Sequence, residues 1–228
     1  MLGPPFTTRA EAGEKLAQEL EEYHGKAAVV FGIPRGGVAV GAAVAARLQL
    51  PLDIIVPRKV PIPWEPEAGF GAVTADGTLV LNEQLVKRVG LTQAEIEREA
   101  EKVRREVERR TRVYRGDRPF PDLAGRTAIV VDDGLATGYT MIAALLSLKK
   151  AGPKELLAAV PVSPRGSLEA VRPYADRVVC LVVSDSDFFA VASFYREFPE
   201  MSDQEVKDLL SLHYSRCAQK LGNLLSPP

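Results

Sequence analysis

Cysteine and histidine are scarce in this 228-residue chain: Cys180 and Cys217, His24 and His213 are all there is of either. Two cysteines cannot make a disulfide framework, and so few dispersed thiols and imidazoles argue against a zinc site. Cys180 lies inside the apolar run RVVCLVV and is expected to be a buried thiol. An excess of charge of either sign is also lacking. The formal net charge is −1, so no overall basic field draws nucleic acid or an anionic membrane. An anionic ligand would have to be caught by a local arrangement. No apolar run approaches the roughly 20 residues of a bilayer-spanning helix. The N-terminus, MLGPPFTTRAEAGEKL, lacks the basic-then-apolar order of a signal peptide. These absences lead to the expectation of a cytoplasmic protein with neither membrane nor nucleic acid as partner. Asparagine occurs only as Asn82 and Asn223 beside plentiful Arg, Glu, Pro and Ala, a bias common to thermophiles and GC-rich genomes.

What is present suits one sizeable core, because 46% hydrophobic and 26% charged residues are the balance of an ordinary globular chain. Thr7 or Thr8 caps an amphipathic stretch in which Ala12, Leu16, Leu20 and Tyr23 share a face, with Gly25 as the stop. AAVVFGI (27–33) is a strand, followed by the tight turn PRGG and an Ala-rich helix. LDIIVPRKV (52–60) is expected as a second buried strand, and PIPWEPEAGFG (61–71) as a Pro- and Gly-punctuated loop without regular structure. AVTADGTLVLN (72–82) alternates around Asp76-Gly77, a hairpin signal.

Residues 92–115 form a long charged helix opened by a Thr92/Glu95 capping box, with Ile96, Val103 and Val107 as a thin apolar stripe. A solvated surface helix is the favoured reading of it, over contact with an anion or another subunit. Strands at 127–131, 155–162 and 177–183 then alternate with helices near 140–150 and 167–175. Such alternation implies a mostly parallel sheet covered on both faces. Beyond Ser184 the segment SDSDFFAVASFYREFP is irregular, before a last helix with Ser202 as N-cap and Glu205 completing a capping box.

One stretch carries chemistry. AIVVDDGLATGYTM (128–141) runs an apolar strand into two adjacent acids and then into Gly, Thr, Gly and Thr. Ligands of open α/β sheets bind beyond the carboxyl ends of the strands. There GLATGYT can converge backbone N–H groups and a helix N-terminus on a phosphate, with Thr137 and Thr140 adding hydroxyls. It is not a P-loop, since the GxxxxGK[ST] spacing and its lysine are missing. Asp132 and Asp133 would repel a phosphate unless a cation or ligand hydroxyls stood between. A sugar 5-phosphate satisfies both halves, phosphate in the Gly/Thr turn and hydroxyls toward the acids.

This stretch closely resembles the phosphoribosyl diphosphate (PRPP) signature of the type I phosphoribosyltransferases. VVFGIPRGG (29–37) looks like that family's pyrophosphate loop, and VPRKV (56–60) with 61–71 looks like its second strand and mobile catalytic loop. The resemblance spans roughly residues 25–185 and implies a single α/β domain over 1–228. It would be a mostly parallel twisted sheet flanked by helices, with an inserted hairpin plus long charged helix. A small hood would come mainly from 186–228, with 1–24 able to contribute. In the resembled family the pyrophosphate loop often holds a non-proline cis peptide.

By the same resemblance, PRPP phosphate and diphosphate would be bound by Arg35, Gly36 and Gly37 and by Gly134, Leu135, Ala136, Thr137, Gly138, Tyr139 and Thr140. Asp132 and Asp133 would hold ribose hydroxyls and Mg²⁺, directly or through those hydroxyls or water. Arg58 or Lys59 would neutralise the leaving group, with Lys59 favoured because orotate-type enzymes carry an Arg-Lys pair there. Loop 61–71 would act as a lid against water. The implied reaction is Mg²⁺-dependent transfer of the phosphoribosyl group from PRPP to a nitrogen acceptor, releasing pyrophosphate, with a homodimer as the family habit. Hypoxanthine–guanine enzymes carry an acid where this chain has Ala136, which disfavours a purine that depends on that carboxylate. Asp185 and Phe188 are candidates for the acceptor side. The alternative is a non-catalytic PRPP- or nucleotide-sensing regulator on the same fold; a synthase-like subunit is weaker, because that family uses two such domains.

Overall fold

The computed structural model describes the backbone of residues 4–186 and 188–225 and the side chains of 4–186 and 188–214, so Cys217 lies outside the described side chains. Helix α1 (Arg9–Gln18) and a 3-10 turn (Glu21–Tyr23) precede strand β1 (Ala28–Gly32), helix α2 (Gly36–Leu48) and strand β2 (Leu52–Ile54). Strands β3 (Arg58–Ile62), β4 (Glu65–Val73) and β5 (Leu79–Leu81) follow, then helices α3 (Glu83–Val89) and α4 (Gln93–Arg115). Next come β6 (Thr127–Val131), α5 (Tyr139–Lys149), β7 (Glu155–Pro164), α6 (Arg165–Val171), β8 (Arg177–Ser184) and α7 (Asp203–Leu225).

The main sheet has the order β2-β1-β6-β7-β8, every neighbouring pair parallel. Its central strands β1 and β6 are buried at every position, because helices cover both faces. Val30, Ile129 and Val131 point into one core with Leu16 of α1, Leu20 just after it, Val44 and Leu48 of α2, and Val206 and Leu210 of α7. Val29, Phe31, Ala128 and Val130 point into the other, against Met141, Ile142 and Leu145 of α5 and Val171 of α6. Each large aliphatic side chain so enclosed contributes about 1.5–3 kcal/mol. Among the described residues no helix is long and apolar enough to cross a membrane.

Two expectations fail at the second strand. LDIIVPRKV is not one strand: β2 ends at Ile54, and Arg58 begins β3 in a separate antiparallel sheet, β3-β4-β5. Nor is 61–71 a loop without regular structure. It is most of a hairpin, with Val60 opposite Gly71, Pro61 opposite Gly69 and Ile62 opposite Glu65, and register shifts on either side of Pro61. A bulge there spares the sheet the N–H that proline cannot donate. Tertiary packing decides the outcome: Val60, Ile62 and Phe70 are buried against Val86 of α3, Leu91 of the α3–α4 connection and Ile96 of α4. Helix α3 itself, capped by Asn82, has no counterpart in the sequence expectations. The hairpin turn around Asp76-Gly77 is present, and Thr92 and Glu95 form their capping box.

The irregular segment after β8 is tied to the N-terminus. Phe6 bridges Tyr195 and packs with Ala12, Phe194 and Phe198. Ser202 and Glu205 exchange backbone-to-side-chain hydrogen bonds at the start of α7, as their spacing implies.

Candidate active site

Buried β6 delivers Asp132 and Asp133 to the carboxyl edge of the sheet, beside the end of β1. The connection from β1 to α2 contains a cis peptide between Pro34 and Arg35. It then presses against the acids through Gly36 and Gly37. A Cβ on Gly36 would stand 1.8 Å from Asp133 Oδ2, and one on Gly37 would stand 2.8 Å from the Asp132 Cα. Glycine is thus required here for close approach to the acid pair, as well as for any approach to a ligand.

The acids are held individually. Asp132 Oδ1 accepts from the Asp133 N–H at 2.9 Å, and the Tyr195 hydroxyl donates to the Asp133 carbonyl at 2.6 Å. Arg9 Nε donates to Asp133 Oδ2 at 2.8 Å. Arg9 is fixed in turn by a 2.7 Å bond from Nη1 to the Pro199 carbonyl and by stacking 3.7 Å above the Phe198 ring. Burial, and then the neighbouring Asp133 charge, push the Asp132 carboxyl well above the usual carboxylate range. Burial also raises Asp133, against the opposing pull of Arg9.

The turn after the acids is pinned to its neighbours. The Leu135 N–H donates to Val162 of β7, so it is already committed and Leu135 itself is buried. Ser167 Oγ donates to the Ala136 carbonyl at 2.6 Å. Gly138, at φ 82°, opens α5 without a side-chain cap, which leaves the first-turn N–H groups of α5 facing the turn. Thr137 is exposed, whereas Thr140 reaches the cavity described next.

A cavity of about 400 Å³ joins these parts. Its walls include Arg35, Gly36, Arg58, Lys59, Arg110, Asp132, Asp133 and Thr140. Four cations therefore face two carboxylates. Burial, and then the charge of Arg110, hold the Arg58 guanidinium below its usual range. Lys59 lies across Gly69 of the hairpin, and its Nζ donates to the Glu67 carbonyl. Two carboxylates beside a roomy polar cavity fit Mg²⁺, which is commonly held by one or two carboxylates together with substrate phosphates and water. Among the described residues no cluster of three or more His, Cys, Asp or Glu forms a cage for a metal by itself.

The structure brings Arg35, Gly36, Arg58, Lys59, Asp132, Asp133 and Thr140 to one cavity, with Gly37 behind its wall and the turn 134–139 adjoining. It does not bring Asp185 and Phe188 there. Asp185 is an exposed bidentate partner of Arg165 at 2.6 and 2.9 Å, and Phe188 is 94% exposed. Sequence reasoning missed Arg9, which lies in the first helix with no local mark of its role. It also missed Arg110, whose spacing from Glu106 signals only a surface ion pair. Cys180 is pushed up to about 11 by burial, consistent with an inert thiol.

Comparison with known proteins gives a consistent result. Residues 74–198 match the family model described as phosphoribosyl transferase domain. Two Mycobacterium tuberculosis proteins provisionally named phosphoribosyl transferase are each 43% identical over 201 residues, covering 88% of this chain and 45% of theirs. The chain thus spans less than half the length of those curated relatives. The crystal structure of TT1426 from Thermus thermophilus superposes with a TM-score of 0.74 at 40% identity, over 90% of this chain and 97% of that one. A hypothetical protein from Neisseria gonorrhoeae crystallised with bound ppGpp gives a TM-score of 0.50 at 14% identity, over 93% and 98% of the two chains. That last likeness concerns the fold alone.

Proposed function

This chain belongs to the phosphoribosyl transferase domain family, and we propose that it transfers the phosphoribosyl group of PRPP to a nitrogen acceptor, releasing pyrophosphate in the presence of Mg²⁺. The observation that carries this reading is the single cavity in which Asp132 and Asp133 face Arg35, Arg58, Lys59 and Arg110, next to the Gly/Thr turn that opens α5. Its volume of about 400 Å³ is in the range of small-ligand sites.

In this mechanism the turn 137–140 takes the 5-phosphate with backbone N–H groups and the Thr hydroxyls. Asp132 and Asp133 accept hydrogen bonds from the ribose hydroxyls and fix the sugar ring. Arg35 and the backbone of Gly36 and Gly37 hold the diphosphate, and Arg58 and Lys59 lie where charge builds on the departing group. Lys59 reaches it by leaving the Glu67 carbonyl. Mg²⁺ bound with the substrate would be held by Asp132 and Asp133, directly or through water or the ribose hydroxyls, and would supply positive charge that lowers the cost of pyrophosphate departure. Carbon–nitrogen bond formation as the carbon–oxygen bond breaks asks little covalent chemistry of the protein, so catalysis rests on positioning and charge. The hairpin β3–β4 shields the reacting centre from water. Ala136 offers no carboxylate to the acceptor, so the acceptor is one that does not depend on an acid at that position. A homodimer belongs to the same reading and would be checked by sedimentation.

The test is a panel of bases and small amines with PRPP and Mg²⁺, following pyrophosphate release. Acceptor-dependent release supports the transferase. PRPP binding without release by any acceptor supports a sensor instead. A nucleic-acid-facing regulator is not favoured by α4, since Arg104, Arg105, Arg109 and Arg110 are each paired with glutamates of the same helix.

A further inference from the structure

Glu106 Oε1 is the meeting point of three guanidinium groups. Arg58 Nη1 reaches it at 3.4 Å, Arg109 Nη2 at 2.9 Å and Arg110 Nε at 2.9 Å. One carboxylate among three arginines leaves positive charge in surplus, and Glu106 stays ionised, its carboxyl held down at about 2 by Arg109 and Arg110. The three arginines are not equivalent. Arg109 is 60% exposed and stands outside, whereas Arg110 is only 25% exposed and lines the cavity together with Arg58. An exposed helix pair stabilises little and needs no explanation. A half-buried one lining the cavity that holds the acid pair, with Arg35 and Lys59 on the same walls, does need one.

An arginine fork fixed by one partner presents its remaining N–H groups in the planar geometry that suits phosphate oxygens. Three features therefore converge: surplus cationic charge, preset orientation and a shared cavity. The fold adds a fourth. Arg58 comes from the hairpin and Arg110 from α4, so neither depends on the loops of the main sheet.

We propose that Arg110, aligned with Arg58 on Glu106, is a binding residue for the diphosphate end of the sugar diphosphate, so that the α4 insert as well as the core loops grips the leaving group. This rests on the PRPP reading above. The 5-phosphate is assigned to a different element, the turn opening α5, and the two ends can be probed apart.

The experiment is calorimetric titration of the full chain with Mg²⁺, using inorganic pyrophosphate and ribose 5-phosphate as separate probes. Arg110→Gln should weaken pyrophosphate by at least about tenfold, the loss of one charged hydrogen bond. It should leave ribose 5-phosphate within about twofold, the effect of a distant screened charge. Arg110→Lys, which keeps the charge and loses the fork, should fall between Gln and wild type. Unchanged pyrophosphate affinity in Arg110→Gln would overturn the proposal, and so would equal weakening of both probes with a lowered melting temperature, the mark of a structural role. A wild-type chain that binds neither probe would overturn the PRPP reading itself. A wild type that binds both, with Arg110→Gln indistinguishable from it, removes only the role given to Arg110.

Discussion

Arg9 Nε lies 2.8 Å from Asp133 Oδ2, joining the first helix to the second acid of the strand-end pair across 124 residues of chain. Both side chains are largely buried, at 11% and 16% exposure. The bond gives the acid pair one fixed counter-charge and leaves Asp132 without a comparable cation. The N-terminal helix is thereby part of the site's electrostatics, although nothing in its own sequence says so.

Removing that counter-charge should be costly. Arg9→Met leaves Asp133 buried without its cation, an expected loss of about 3 kcal/mol in urea denaturation. Arg9→Lys, which can still place a charge near Asp133, should recover part of it. A melt unchanged from wild type in Arg9→Met would show that the pair contributes nothing.

The acids themselves should cost stability while serving binding. Burial raises both carboxyl pKa values, so the folded chain holds protons that the unfolded chain has already released. Their contribution is therefore most favourable below the ordinary carboxylate pKa of about 4 and is lost as pH rises above it. Asp132→Asn should melt higher than wild type at neutral pH, with the gap closing as pH falls toward about 4. The double variant Asp132→Asn with Asp133→Asn should stay folded and bind PRPP weakly. Normal PRPP binding and turnover by that double variant would remove the acids from the site.

Gly36 should tolerate no side chain. Alanine there puts a methyl 1.8 Å from Asp133 Oδ2, so either the carboxylate or the start of α2 must move. An overpacking loss of about 1–3 kcal/mol and impaired PRPP binding are expected. Gly166, in α6 and with nothing within 4 Å of a built Cβ, is the control. Gly166→Ala should be neutral or stabilising by about 0.5–1 kcal/mol.

The hairpin can be watched directly, because Trp64 is the only tryptophan and sits at its tip, 60% exposed. If the hairpin closes over bound substrate, saturating PRPP with Mg²⁺ should shift Trp64 emission to the blue. An unchanged spectrum at saturation would deny it the part of a lid. Phe70→Ala, which empties a fully buried position of β4 in the hairpin itself, should cost about 3–5 kcal/mol.

What could be seen in advance was what short-range physics specifies. The Thr92/Glu95 and Ser202/Glu205 caps, the turn at Gly77 and the burial of β1 and β6 follow from residues within a few positions of one another. So does the placement of two acids and a Gly/Thr turn at a strand end, which points to a phosphorylated sugar by chemistry alone. The hairpin at 61–71 was hidden because its prolines and glycines signal a loop. Only the apolar surface of α3 and α4, supplied later in the chain, makes strands of it.

The alternation of strands and helices that builds the five-stranded sheet and the pair Asp132-Asp133 were therefore determined by the sequence itself, since backbone preference and apolar patterning act locally. Which cations meet those acids was decided only by the tertiary structure. Arg9 bonds Asp133 from the first helix, and Arg58 and Arg110 reach the acids' cavity from a hairpin and an insert far apart in the chain. A long side chain's partner is set by where its element packs, and a linear pattern of charges records the charge but not the neighbour.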